Sequence, residues 1–135
     1  MVDVDNIGRE TFKILVVDDE EAIREMLVTY LETEGYDVST ADSGVTALPA
    51  IEEFSPQVVL LDIRMPDMDG LQCLRSIMRR NPDIAVVMMS GFVSEQIARK
   101  TLEIGAFDYI NKPISFEHLV KVLQLVKISK FVEYM

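Results

Sequence analysis

The stretch Val58 to Gly70, VVLLDIRMPDMDG, opens on four apolar residues, stops at an aspartate and breaks into a turn carrying proline and glycine. A short apolar run bounded by turn residues reads as a strand buried on both sides. Val58 to Leu61 is therefore expected to be a strand ending at Asp62. Met65 to Gly70 becomes a loop, in which Asp67 and Asp69 read as turn residues beside Pro66 and Gly70. A helix should follow from Leu71 to about Arg80.

The same unit recurs on both sides of this stretch. Upstream, Lys13 to Val17 (KILVV) is an apolar run that stops at Asp18-Asp19-Glu20-Glu21. Ile23, Met26, Leu27, Tyr30 and Leu31 follow at helical spacing, with Gly35 as the stop. Tyr36 to Thr40 (YDVST) is a more polar strand, suited to a sheet edge. Val45 to Phe54 reads as a helix capped by Asp42 or Ser43, and Pro49 inside it should kink the helix or displace its start. Downstream, Ile84 to Met89 (IAVVMM) is a strand ending at Ser90-Gly91, with Met88 and Met89 in the core. A helix from about Glu95 to Ile104, a strand from Phe107 to Ile110 and the pair Lys112-Pro113 come next. Ser115 caps a last helix running to about Lys130.

Five β-α units with short connections imply the α/β class, as a single doubly wound, five-stranded parallel sheet with helices on both faces. The expected strand order is the flavodoxin-like 2-1-3-4-5, and such sheets bind ligands beyond the carboxyl ends of their strands. One domain from 12 to 130 is expected, with a flexible extension at 1–11 and a tail at 131–135.

Composition narrows the function. The chain has 135 residues, 49% of them apolar, and a formal net charge of −10. That charge argues against direct nucleic-acid binding, because no basic stripe is present to neutralise phosphates. Arg75, Arg79 and Arg80 come late in one helix, where they favour its C-terminal dipole. The single cysteine, Cys73, forms no internal disulfide and no cysteine metal cluster, and packing is its expected role. No apolar run approaches the roughly 20 residues that span a bilayer. The polar, acidic start of the chain does not read as a signal peptide, so the cytoplasm is the expected compartment.

The polar residues gather where the strands stop. The first strand ends at Asp18-Asp19, the third at Asp62 and the fourth at Ser90, and Lys112 follows the fifth. In a parallel sheet all of these converge on one edge. Three carboxylates held together repel one another unless a cation intervenes, and one lysine does not balance them. Mg²⁺ suits such a site, since it is held by one or two carboxylates together with phosphate oxygens and water. Phosphoryl transfer depends mainly on position and charge stabilisation. Asp62 can then attack an incoming phosphoryl group to form an aspartyl phosphate, with Lys112 and Ser90 stabilising its oxygens. Taken singly, each residue has a plainer reading: Asp18 or Asp19 as a helix cap, Asp62 as a turn residue, Ser90-Gly91 as a turn, Lys112 as a solvated lysine, Tyr109 as core. Their convergence is what those readings leave unexplained.

VVDDEE, LLDIRMPDMDG, MMSGF and GAFDYINKP, in this order and spacing, resemble the receiver domain of two-component response regulators, over roughly Lys13 to Val126. The resemblance implies Asp62 as the phosphoacceptor, Asp19 as a direct Mg²⁺ ligand and Asp18 as a second acidic ligand, often through water. It adds the backbone carbonyl of Arg64 as a metal ligand, Ser90 and Tyr109 as the switch pair, Lys112 as the site lysine and a cis bond before Pro113. It implies a sensor histidine kinase or phosphotransfer protein as donor and an output domain or downstream effector as target. The chain would catalyse only its own phosphorylation and dephosphorylation and would not be an enzyme otherwise. Arg64 and Phe92 stand where the family tunes dephosphorylation, and Phe92 could also join a partner surface.

The alternative reading is a receiver-like docking module that works without phosphorylation. A haloacid-dehalogenase-type phosphatase would need an aspartate where Arg64 stands, and a flavodoxin would need a hydroxyl-rich loop in place of Asp-Asp-Glu-Glu. His118 has no acidic or metal-binding companion and reads as a surface or packing residue. On the last helix, Phe116, Leu119, Val120, Leu123 and Val126 form a stripe expected to pack on the sheet. A second stripe, Val122, Leu125 and Val132, is expected to stay partly in water. It reads either as scattered surface residues, as a homodimer surface, or as the start of a connection to an output domain.

Overall fold

The computed structural model describes residues 12–65, 68–91 and 94–133. The extension at 1–11, Pro66, Asp67 and Phe92 lie outside the described residues. Ten elements alternate along the chain: β1 (Lys13–Val17), α1 (Glu21–Thr33), β2 (Asp37–Ala41), α2 (Gly44–Phe54), β3 (Val58–Asp62), α3 (Gly70–Arg80), β4 (Ala85–Ser90), α4 (Glu95–Ile104), β5 (Asp108–Asn111) and α5 (Phe116–Glu133). The strands form one sheet in the order β2-β1-β3-β4-β5, all pairs parallel.

Side chains alternate across a pleated strand, so each strand feeds two cores. Ile14, Val16, Val58, Leu60, Val87 and Met89 face α1 and α5. Leu15, Val17, Val59, Leu61, Val86 and Met88 face the opposite side, where Ala47 and Ile51 of α2 and Cys73, Leu74 and Ile77 of α3 meet them. Every residue of β3 and β4 is buried. β2 stands at the edge with its polar residues partly in water.

The helices begin where polar caps stand before them. Ser43 caps α2, so the helix start is not displaced, and α2 runs on through the exposed Pro49. Asp69 accepts a hydrogen bond from the Gln72 amide and caps α3, a more specific role than that of a turn residue. Ser115 accepts from the His118 amide at the start of α5. Gly105 ends α4 at φ 131°, a conformation that side chains rarely adopt. α4 is the least anchored helix: only Thr101 is buried, while Ile97 and Leu102 are exposed.

The last helix corrects the expected stripes. Val122 is buried beside Leu119, Leu123 and Val126, and Val120 is only half-buried. On a helix, Val122 lies within one turn of both Leu119 and Val126, so it belongs to the same face. The residues left in water are Leu125, Ile128 and Val132. His118 is exposed, and α5 extends to Glu133 rather than Lys130.

Candidate functional site at the strand ends

The sheet register brings the polar residues together. Val17 pairs with Leu61, Asp62 with Met89 and Ser90 with Asn111, so β1, β3, β4 and β5 all stop near one level. Asp18, Asp62 and Ser90 are buried there, and Asp19 and Glu20 are exposed. An open cleft of about 690 Å³ is lined by Asp19, Glu20, Asp62, Arg64, Ser90 and Lys112, among others.

Lys112 follows β5 directly, precedes a cis peptide bond to Pro113, and places its ammonium among three carboxylates. It lies 2.7 Å from Asp18, 3.4 Å from Glu20 and 3.5 Å from Asp62. The Asp18 carboxylate is shared out: Oδ1 accepts from the Glu20 amide at 2.9 Å, while Oδ2 lies 2.7 Å from the ammonium. That second contact is an ion pair between a buried carboxylate and a half-buried ammonium.

Asp62 has its carboxyl pushed up to about 6. Burial is the largest cause and the Asp18 charge the next, with a smaller push from Asp19. Lys112 and the Arg64 amide, which donates to Oδ1 at 3.2 Å, hold it down. For Lys112, burial is the largest single influence and pulls the ammonium down. The neighbouring Asp18, Asp62 and Glu20 together outweigh it and leave the value raised.

Four carboxylates, of Asp18, Asp19, Glu20 and Asp62, thus gather around the Lys112 ammonium, with Arg64 also in the cleft wall. Asp18, Asp19 and Glu20 also offer oxygens within 4.8 Å of one another. An all-oxygen donor set with excess negative charge fits a hard divalent cation such as Mg²⁺. Tyr109 is half-buried and packs against the α2–α3 core. Its hydroxyl is 3.1 Å from Asn111 Oδ1 and 3.3 Å from the Ser90 carbonyl oxygen, either of which can accept its one proton. Burial raises its pKa.

The structure therefore brings Asp18, Asp19, Asp62, Arg64, Ser90 and Lys112 to one cleft, with Tyr109 touching its edge. Sequence reasoning passed over Glu20 and Arg24. Glu20 could have been suspected from its place in the acidic run. Arg24, which donates from Nη1 to the Asp18 carbonyl oxygen at 2.7 Å, looks in the sequence like any helix-surface arginine.

Comparison with known proteins agrees with this fold. The family model described as the response regulator receiver domain matches residues 14–124. The chain is 38% identical over 112 residues to the regulatory protein AtoC of Escherichia coli, covering 83% of this chain and 24% of that protein. It is 42% identical over 104 residues to a protein-glutamate methylesterase/protein-glutamine glutaminase of Rhodospirillum rubrum, covering 75% of this chain and 28% of that protein. The chain thus spans about a quarter of the length of these relatives. A solved CheY-like receiver domain protein from Methanospirillum hungatei superposes with a TM-score of 0.86 at 31% identity, over 90% of this chain and 98% of that one. A sheet of this order, with an acidic cleft at its strand ends and a family match over most of the chain, has one reading: the chain belongs to the response regulator receiver domain family.

Proposed function

We propose that this chain accepts a phosphoryl group on Asp62 from a sensor histidine kinase or phosphotransfer protein, and thereby controls an output domain or downstream effector. The observation that carries the reading is the environment of Asp62, a buried carboxylate raised to about 6 that still ionises at neutral pH. An ionised Asp62 oxygen attacks phosphorus, the bond from phosphorus to the donor breaks, and the leaving group departs with its electron pair. Lys112 neutralises charge on the transferred oxygens, and the Ser90 hydroxyl donates a hydrogen bond to one of them. Asp18, Asp19, Asp62 and the Arg64 backbone carbonyl would hold Mg²⁺, whose charge would offset that of the phosphoryl oxygens. The chain acts on itself alone, and the cytoplasm is the proposed compartment; no described helix is long and apolar enough to cross a membrane.

The switch follows from the same neighbours. Drawing Ser90 toward the phosphoryl group shifts the backbone carbonyl that Tyr109 contacts. Movement at β5 reaches α4, whose weak anchoring makes it the element most easily displaced. A pre-existing equilibrium is then biased rather than a new fold formed. The exposed α5 stripe is proposed as a homodimer surface.

Incubation with acetyl phosphate and millimolar Mg²⁺ tests the chemistry. One phosphoryl group, labile to base and hydroxylamine, should appear, and Asp62→Asn should abolish it. A wild-type chain that stays unmodified overturns the proposal.

A further inference from the structure

Arg24 sits in the second turn of α1, within a run that includes Glu20, Glu21 and Glu25. It forms no ion pair among the described residues. Its guanidinium instead donates to the backbone carbonyl of Asp18 at 2.7 Å, the shortest of three bonds that pin the turn between β1 and α1. The others are Asp18 N to the Ala41 carbonyl at 3.2 Å and Glu20 N to Asp18 Oδ1 at 2.9 Å. The α1 N-cap, Glu20, contributes no side-chain cap of its own.

We propose that Arg24 is a positioning residue: by holding the carbonyl of Asp18 it fixes the peptide joining Asp18 to Asp19 and so aims the Asp19 carboxylate into the cleft. Asp19 is exposed and accepts no hydrogen bond among the described residues. Its backbone therefore sets which of its rotamers can reach the cleft, and the Arg24 bond holds the peptide that carries it. A charge-assisted bond of this length is stronger than a neutral one and holds the peptide plane against rotation. A guanidinium suits the task, since its planar fork is preorganised where an ammonium is not. The inference rests on the reading of the acidic cleft as a Mg²⁺ site.

Two roles for Arg24 predict opposite signs. A cation that merely sits near a metal site repels the metal, so removing it tightens binding. A cation that aims a ligand strengthens the site, so removing it weakens binding. Wild type, Arg24→Gln and Arg24→Lys are titrated with Mg²⁺ at fixed ionic strength, followed by NMR shifts of the cleft amides. Arg24→Gln should bind about tenfold more weakly, as outer-shell changes commonly do. Arg24→Lys keeps the charge, loses the fork and should also bind more weakly. Phosphorylation of Arg24→Gln by acetyl phosphate should be slow at low Mg²⁺ and return to the wild-type rate at saturating Mg²⁺, a rescue that loss of fold would not allow. Binding by Arg24→Gln equal to or tighter than wild type overturns the inference, as does a rate that stays low at saturating Mg²⁺. If wild type binds Mg²⁺ and is phosphorylated, such a result counts against Arg24 alone. If wild type does neither, the reading of the cleft falls with it.

Discussion

The ammonium of Lys112 lies 2.7 Å from Oδ2 of Asp18, a residue with no exposed surface. The Glu20 amide meets the other oxygen of that carboxylate, so among the described residues Lys112 is its charged partner. Removing one member of a buried ion pair costs about 3–5 kcal/mol, because the other is left uncompensated. Lys112→Met should lower the melting temperature clearly in EDTA, and added Mg²⁺ should recover part of the loss. A variant that melts with wild type in EDTA would show that Asp18 is compensated elsewhere.

The raised pKa of Asp62 makes stability depend on pH in a definite direction. Its folded value of about 6 lies above the ordinary 3.8, so the folded chain holds the proton more tightly than the unfolded one. That contribution favours the fold below about pH 4 and is lost as pH rises through about 6. Asp62→Asn removes the charge and keeps the volume. Without Mg²⁺ it should therefore be more stable than wild type at pH 8, by roughly 3 kcal/mol, and about equal to it at pH 4. Urea midpoints at the two pH values check this, and an equal gain at both would contradict the assignment.

Gly70 and Gly44 both press on the loop after Asp62, but on different material. A Cβ at Gly70 would stand 2.5 Å from the Ile63 Cα and 2.7 Å from the Asp62 carbonyl oxygen. A Cβ at Gly44 would meet only the Met68 side chain, 2.8 Å from its Cβ. The Asp62–Ile63 backbone carries the site carboxylate, so Gly70→Ala should cost about 2–3 kcal/mol and weaken Mg²⁺ binding. Gly44→Ala should also be destabilising, because the Met68 Cβ is fixed to its backbone, but it should leave Mg²⁺ binding unchanged. Denaturant melts and Mg²⁺ titrations of the two variants would separate them.

The two faces of α5 should respond differently. Val122 is 1% exposed and Leu125 is 55% exposed. Val122→Ala should cost about 2 kcal/mol through the cavity it leaves, whereas Leu125→Ala should stay within about 0.5 kcal/mol. If Leu125 and Ile128 form the dimer surface, Leu125→Glu with Ile128→Glu should abolish any phosphorylation-dependent dimer in sedimentation. A wild type that is monomeric with and without phosphodonor would leave the stripe without that role.

The strand runs and their polar ends were legible in the sequence, because a strand buried on both faces must be apolar along its length and must stop where polarity returns. KILVV and VVLL therefore marked β1 and β3, with Asp18, Asp19 and Asp62 at their ends. Parallel pairing aligns carboxyl ends, so convergence of these residues with Ser90 and Lys112 followed from element order. The face of α5 was not legible. Apolar residues stand at 116, 119, 120, 122, 123, 125, 126, 128, 131 and 132, too densely for spacing to single out the buried face.

Only tertiary structure decided that Val122 is core, because the angle at which α5 lies on the sheet sets which side loses water. The same holds for Glu20 and Arg24. Each carries a charge that the sequence displays, but the partner depends on how the turn after β1 bends and where each long side chain reaches. Sequence by itself determined which chemistry collects at the sheet edge. The fold decided that Lys112 rests nearest Asp18, and that Asp62 loses enough water to hold its proton up to about pH 6. Distance and desolvation set those two properties, and neither is a property of residue order.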